Sequence, residues 1–246
     1  MCVVYPTQNL NQFVVVLVAP RNPLNIGAVA RAMSNFGAQK LRVVNAYDVA
    51  FREAKSAVGA SDVLTRAEEF RSLADAVADC RLVVGTTSVG HRNLNHPLRT
   101  LEEAGRIIRR RLSAGQVALL FGSEKVGLTT EQMTHCHWLL RIPTREQHSS
   151  MNLAQAVAVC LYEMVRSKTI SRHKAEEDGI RAGDAERFTQ LLLHALAVSG
   201  YTKPASAEAT DQKLRRMVRR LQLSSKDGEI WLGMLRQIVW KIDRQR

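Results

Sequence analysis

Phe13-Val14-Val15-Val16-Leu17-Val18 is an unbroken apolar run rich in β-branched side chains. A run this short, without polar alternation, predicts a parallel strand covered on both faces. Residues 41–44, 81–86, 117–122 and 138–143 repeat the pattern, the last stopped by Pro143, which cannot extend a ladder. Between these runs the apolar spacing lengthens to three and four, predicting helices over 26–36, 67–78, 100–113, 130–136 and 153–166. Short apolar strands alternating with helices read as an α/β domain with a parallel sheet, spanning residues 1–168.

Residues 169–184 are polar and charge-dense and read as a linker. Beyond them, Phe188, Leu191, Leu192, Ala195 and Leu196 fall at helical spacing, and Gly200 closes the pattern as a C-terminal cap. Two more helices, over 207–221 and 227–242, complete a small helical module over 185–246.

Composition adds a partner class. The 246 residues carry 35 Lys and Arg against 23 Asp and Glu, a formal charge of +12 at pH 7. That balance favours a polyanion, nucleic acid before anionic membrane. Half of the excess lies in residues 203–246, with eleven basic and five acidic side chains. Aromatic residues are only 5% and do not interleave with the basic ones, so base-stacking platforms are not indicated. Lys213, Arg215, Arg216, Arg219 and Arg220 share one helix, with Leu214, Met217, Val218 and Leu221 as its expected buried face, an arrangement suited to phosphate contacts. No run approaches a membrane span, the first residues lack a basic signal-peptide region, and Cys2, Cys80, Cys136 and Cys160 lack paired spacing, so a cytoplasmic location is expected.

Candidate chemistry gathers in three polar turns. The first is Asn22-Pro23-Leu24-Asn25-Ile26-Gly27-Ala28-Val29-Ala30-Arg31, where the first strand enters the first helix, the place where open α/β sheets form binding crevices. Asn25 is the expected cap. Arg31 reads either as a solvated arginine, opposite a buried face of Ala28, Ala32 and Phe36, or as a fork that holds a phosphate. The second is Phe121-Gly122-Ser123-Glu124-Lys125-Val126-Gly127-Leu128-Thr129, a glycine-flanked loop that would expose backbone N–H groups to a ligand but lacks the Gly-Lys-Ser ending of a P-loop; Glu124 on its own reads as a solvated or Lys-paired carboxylate. The third is Gln147-His148-Ser149-Ser150-Met151-Asn152-Leu153, with more good helix caps than one helix needs. Gly85-Thr86-Thr87-Ser88 ends the third strand in hydroxyls, and the polar stretch to Arg99, with His91, Arg92 and His96, reads as a recognition loop. His135-Cys136-His137 lacks a second cluster at zinc-ligand spacing. Ser150 and His148 lack the elbow and carboxylate of a hydrolase.

On these residues the sequence closely resembles the SPOUT class (TrmH/SpoU type) of RNA 2'-O-ribose methyltransferases, in its TrmJ-like branch. Asn25 to Arg31, Leu120 to Leu128 and Ser149 to Ala154 are similar to the three motifs of that class, in order and at matching separations. The resemblance covers 13–168 well and the helical module more loosely. It implies a parallel sheet with a C-terminal deep trefoil knot, an obligate homodimer with active sites at the subunit interface, no metal and no obligate partner protein. It implies S-adenosyl-L-methionine as cofactor, bound by Thr86, Thr87, Gly122, Glu124, Gly127, Ile142, Ser150 and Leu153. It implies catalytic roles for Arg31, Asn25, Glu124, Ser150 and Asn152, with Arg31 engaging the target phosphate. RNA contacts are then expected at Arg31, Arg92, Lys213, Arg215, Arg216, Arg219 and Arg220. The expected reaction is ribose methylation of tRNA at cytidine or uridine 32 of the anticodon loop; rRNA, tRNA position 34, or RNA binding without catalysis are the alternatives. The chain departs from relatives that carry Leu-Pro-Trp-Pro after the Gly-Thr-Thr strand, reading Ser88 to Pro97 there instead, which bears on substrate range.

Overall fold

The computed structural model describes residues 10–45, 62–88, 95–166, 179–202 and 207–244. Its strands are β1 (Phe13–Val18), β2 (Lys40–Val44), β3 (Glu68–Phe70), β4 (Leu82–Thr86), β5 (Leu98–Thr100), β6 (Val117–Phe121) and β7 (Trp138–Arg141). All pair in parallel, in the order β3-β2-β1-β6-β4-β7-β5. Pleating divides the central runs between two cores. Phe13, Val15 and Leu17 of β1 join Val117, Leu119 and Phe121 of β6 on one face, while Val14, Val16 and Val18 join Ala118 and Leu120 on the other. Burial on both faces is why these strands read as continuous apolar runs.

The first face is covered by α1 (Pro23–Phe36), α4 (Leu101–Arg111) and α6 (Leu153–Arg166), with α1 packed on α6. The second is covered by α3 (Leu73–Ala76) and α5 (Thr130–Met133). A short α2 (Asp62–Thr65) packs near α1. Helix α1 buries Ile26, Val29, Ala30, Ala32 and Met33, whereas Ala28 is exposed and Phe36 half-buried, so the expected face of Ala28, Ala32 and Phe36 is rotated. Its N-cap is Asn22, whose side chain accepts from the Leu24 N–H with Pro23 at the first helical position; Asn25 is not the cap.

Two edge strands lie outside the predicted set. The segment 67–78, expected as one helix, holds β3 and the four-residue α3, and β5 lies in the stretch expected as a polar loop. Both strands are three residues long and exposed or half-buried, as sheet edges tend to be, and carry no apolar run to betray them. The helix expected over 130–136 ends at Met133.

Helices α7 (Ala182–Val198), α8 (Ala207–Leu221) and α9 (Ser225–Asp243) follow, α7 beginning inside the segment expected as linker. Their core holds Ala185, Phe188, Val218, Leu232 and Leu235. They dock on the N-terminal edge of the sheet: the Ala182 N–H donates to the Cys80 carbonyl at 2.7 Å, Gly183 N–H to Ala78 at 2.8 Å, and Arg81 Nη1 to the Gly179 carbonyl at 2.6 Å. Arg215 and Arg219 are turned inward at 7% and 2% exposure, a correction to their expected place on an outward phosphate-binding face. Leu221, expected buried, is half exposed at 50%. Lys213 and Arg220 are the members of that set that face solvent, with Arg216 half-buried.

Candidate methyl-transfer site

Three segments remote in sequence meet at the C-terminal edge of the sheet. Strand β1 ends at Val18 and leads into α1; β6 ends at Phe121 and leads into the 122–128 loop; α6 starts at Leu153. Because β1 and β6 are neighbours, their following turns are side by side. Packing of α1 on α6 brings the third segment to the same place.

Glu124 is the hub. Its Oε1 accepts from Asn25 Nδ2 at 3.0 Å and from the Asn22 backbone N–H at 3.2 Å, and its Oε2 from the Arg21 N–H at 3.1 Å. Asn25 Oδ1 in turn accepts from Asn152 Nδ2 at 3.0 Å. Asn152 Oδ1 accepts from the N–H groups of Ala154 and Gln155, which begin α6. One asparagine therefore caps a helix and ties it to another segment, and each carboxamide is oriented by what it bonds. Partial burial pushes the Glu124 carboxyl up, but the bonds from Asn25 and the backbone N–H groups outweigh it and hold the group below its ordinary value. A carboxylate so held stays ionised at neutral pH and fixes geometry rather than carrying protons.

The 122–128 loop folds tightly on itself. Ser123 and Gly127 form an antiparallel bridge, and the Gly127 N–H donates to the Ser123 carbonyl at 2.8 Å. A Cβ at Gly122 would lie 2.0 Å from the Gly127 carbonyl carbon, and Gly127 has φ of +67°, so both positions require glycine. Thr129 caps α5, with Gln132 completing a capping box.

The order β6-β4-β7 sets three strand ends side by side. Gly122 follows β6, Thr86 and Thr87 end and follow β4, and Ile142 follows β7. Thr86 Oγ1 donates to the Leu120 carbonyl at 2.8 Å, and the Thr87 N–H to the Leu140 carbonyl at 2.9 Å, pinning the middle turn to both neighbours. Ile142 is half-buried, Leu153 buried and Ser150 exposed.

Arg31 does not join the hydrogen-bonded cluster. It lies six residues beyond Asn25 on α1, roughly 9 Å along the axis, exposed and without a hydrogen bond or ion pair to any described residue. Arg92 lies outside the described residues. His137, in the segment weighed for zinc, has its Nδ1 3.1 Å from the Val83 N–H, which donates to it. Sequence reasoning missed Asn22 as the cap and the backbone of Arg21 and Asn22 as Glu124 ligands. The Asn-Pro pair was the available signal for the cap.

Comparison with known proteins assigns the chain a family. The SpoU rRNA Methylase family matches residues 12–162, which include all three turns. A relative from Pectobacterium atrosepticum, the tRNA (cytidine/uridine-2'-O-)-methyltransferase TrmJ, is 36% identical over 236 residues, covering 93% of this chain and 97% of that protein. Its namesake from Yersinia pestis is 36% identical over 238 residues, covering 93% and 92%. Among solved structures, TrmJ from Z. mobilis ZM4 superposes with a TM-score of 0.77 at 31% identity, covering 92% of this chain and 98% of that one. A family match over more than half of the sequence, joined by relatives aligned over nearly all of it, places this protein in the SpoU methylase family of S-adenosylmethionine-dependent methyltransferases.

Proposed function

We propose that this protein methylates a ribose 2'-hydroxyl of tRNA, at cytidine or uridine 32 of the anticodon loop, acting in the cytoplasm as a homodimer. The observation that carries the reading is the Glu124–Asn25–Asn152 chain of hydrogen bonds, which joins three motifs spread over 128 residues into one polar cluster at the mouth of the sheet. The relatives' names supply tRNA and the two pyrimidine nucleosides.

The turns after β4, β6 and β7 fit S-adenosylmethionine. Gly122 and Gly127 expose backbone where a side chain could not stand, Thr86 and Thr87 offer hydroxyls, and Ile142 and Leu153 offer apolar walls. Ser150 and Glu124 complete the set proposed to hold it. Bound there, the cofactor supplies an electrophilic methyl group on a sulfonium. The protein's part is to place the ribose oxygen in line with it, and orientation of this kind supplies much of a transfer rate. Arg31 clamps the phosphate of the target nucleotide with its planar fork. A guanidinium is already fully protonated and has no lone pair to accept another proton, so the 2'-hydroxyl proton passes to the clamped phosphate or a base near it. Asn25 and Asn152 keep the mouth of the site in one shape, and Ser150, exposed two residues before the α6 cap, is placed to meet the ribose.

Homodimerisation is supported by apolar side chains on the outer faces of the packed pair α1 and α6: Leu24 is 79% exposed, Tyr162 57% and Val159 36%. Burial of that surface in a dimer would carry Arg31 into the interface. The family's trefoil knot is part of the proposal, supported by the placement of β6 and β7, successive in the chain, on opposite sides of β4.

Incubation of the protein with methyl-labelled S-adenosylmethionine and undermodified tRNA tests the reading. Label on ribose 32 is expected; label on rRNA or at position 34 would redirect it, and no transfer to any RNA would overturn it.

A further inference from the structure

A cleft of about 580 Å³ opens at the other edge of the sheet, between the N-terminal ends of β4 and β7, the last turns of α4, and α8 with the turn that follows it. This is within the size range of ligand sites. Five arginines line it, Arg81, Arg99, Arg110, Arg111 and Arg219, and among the described residues no carboxylate does. One is accounted for by the fold: Arg81 binds the Gly179 carbonyl and the Ser225 hydroxyl and so fastens the helices to the sheet.

Arg219 and Arg99 are different. Nη1 and Nη2 of Arg219 and Nε of Arg99 are buried and have no hydrogen-bond acceptor among the described residues. The nearest carboxylate oxygen to Arg219, Glu186 Oε2, stands 3.9 Å away, and Glu186 already accepts from Arg215 at 3.0 and 3.1 Å. Burial pushes Arg219 down to about 10, which still leaves it charged at neutral pH. The Arg99 guanidinium lies 5.5 Å from the centre of the Trp138 ring, which orients its plane. Buried guanidinium N–H groups are costly to leave without acceptors, and a planar fork of donors matches the oxygens of a phosphate.

We propose that this cleft binds backbone phosphates of the RNA substrate, with Arg99 and Arg219 as its inner ligands. An extended ligand is favoured over a small one because the positive charge continues outside: Arg216 and Arg220, on the same helix as Arg219, lie close enough to His96 to add to burial in opposing its protonation. The site is separate from methyl transfer. The two edges are divided by the length of a five-residue strand, roughly 16 Å. The source of the phosphate rests on the tRNA reading above; the phosphate chemistry does not.

The test compares tRNA binding by the full chain and by Arg99→Gln and Arg219→Met across salt concentrations, with S-adenosylmethionine binding measured alongside. Each variant is expected to lose about tenfold in tRNA affinity and about one unit of the log–log salt slope, while cofactor affinity is unchanged. Wild-type affinity and slope in both folded variants would overturn the proposal; should Arg219→Met not fold, Arg99→Gln decides alone. If the unaltered protein itself fails to bind tRNA, the tRNA reading falls, and calorimetric titration with inorganic pyrophosphate decides the cleft. Binding lost in Arg99→Gln then supports a free phosphate ligand, and no binding by the unaltered protein overturns the site.

Discussion

The two edges of the sheet treat polar groups in opposite ways. At the C-terminal edge Glu124 accepts three N–H groups, Asn25 lies between Glu124 and Asn152, and Asn152 closes on a helix end, so the cluster is satisfied from within. At the N-terminal edge Arg99 and Arg219 keep buried donors that the described residues do not meet. A satisfied network is rigid and holds a geometry before anything binds, which suits a step whose rate depends on alignment. An unsatisfied cationic cleft is completed by an anion from outside. Arg31, which bonds no described residue, stands apart from that network on the exposed side of α1.

The sharpest way to break this contrast is Arg31→Ala. Methyl transfer is expected to fall on the order of 10³-fold, as when an electrostatic clamp is lost, with melting temperature little changed because Arg31 bonds no described residue of its own protomer. A large loss of stability would mean that Arg31 serves packing instead. Next comes a comparison inside α8. Arg215 holds Glu186 and Asp211 together, so Arg215→Met leaves two carboxylates without their cation and is expected to cost about 3 kcal/mol, read by denaturant unfolding. Arg219→Met removes a cation that lacks a close partner and is expected to be neutral or stabilising. Equal losses in the two variants would remove the claim that Arg219 is held for a ligand.

Asn152→Ala sharpens the other edge. It deletes a helix cap and the bond to Asn25 together, so about 1 kcal/mol of stability is expected to go, accompanied by roughly a hundredfold loss of methyl transfer. Stability lost without activity would make Asn152 a cap only.

The effect that is smallest at neutral pH, and grows only in acid, is on stability. Burial, reinforced by Arg219, lowers His135 to about 4 and His137 to about 3 from an ordinary 6.5. The unfolded chain therefore binds more protons than the folded one below pH 6.5, and stability declines as pH falls from there towards 4. Hydrogen bonds from Arg42, against an opposing effect of burial, hold Asp79 at about 2 instead of 3.8, so its contribution is intact above pH 4 and is lost as pH falls through 2. Unfolding measured across pH should show the first decline shallower in His135→Phe and the second in Asp79→Asn.

Much of the sheet was legible because burial on both faces leaves an unmistakable trace: β1 and α6 have the bounds their apolar spacing predicts. The misread elements are those in which burial is partial. Glu68–Phe70 contributes an edge strand of two glutamates and a phenylalanine, and no periodicity distinguishes it from a helical turn. At the site, Asn25, Glu124 and Asn152 were legible as polar residues at the ends of strands and the start of a helix. Their mutual bonds were not, because 99 and 127 residues separate the bonded pairs.

The sequence by itself determined the layered α/β class, the three polar turns and the concentration of positive charge towards the C-terminus, since each follows from local spacing, caps or counting. Only the tertiary structure decided which arginines of α8 face outward. A helix with apolar and basic residues interleaved has two plausible buried faces, and the choice fell to Glu186 on α7, which draws Arg215 inward, and to the docking of α7 on Ala78 and Cys80. That rotation exposes Leu221, buries Arg219, and makes a cleft in which Arg219 shares the lining with Trp138 and Arg99, residues that no stretch of sequence places together.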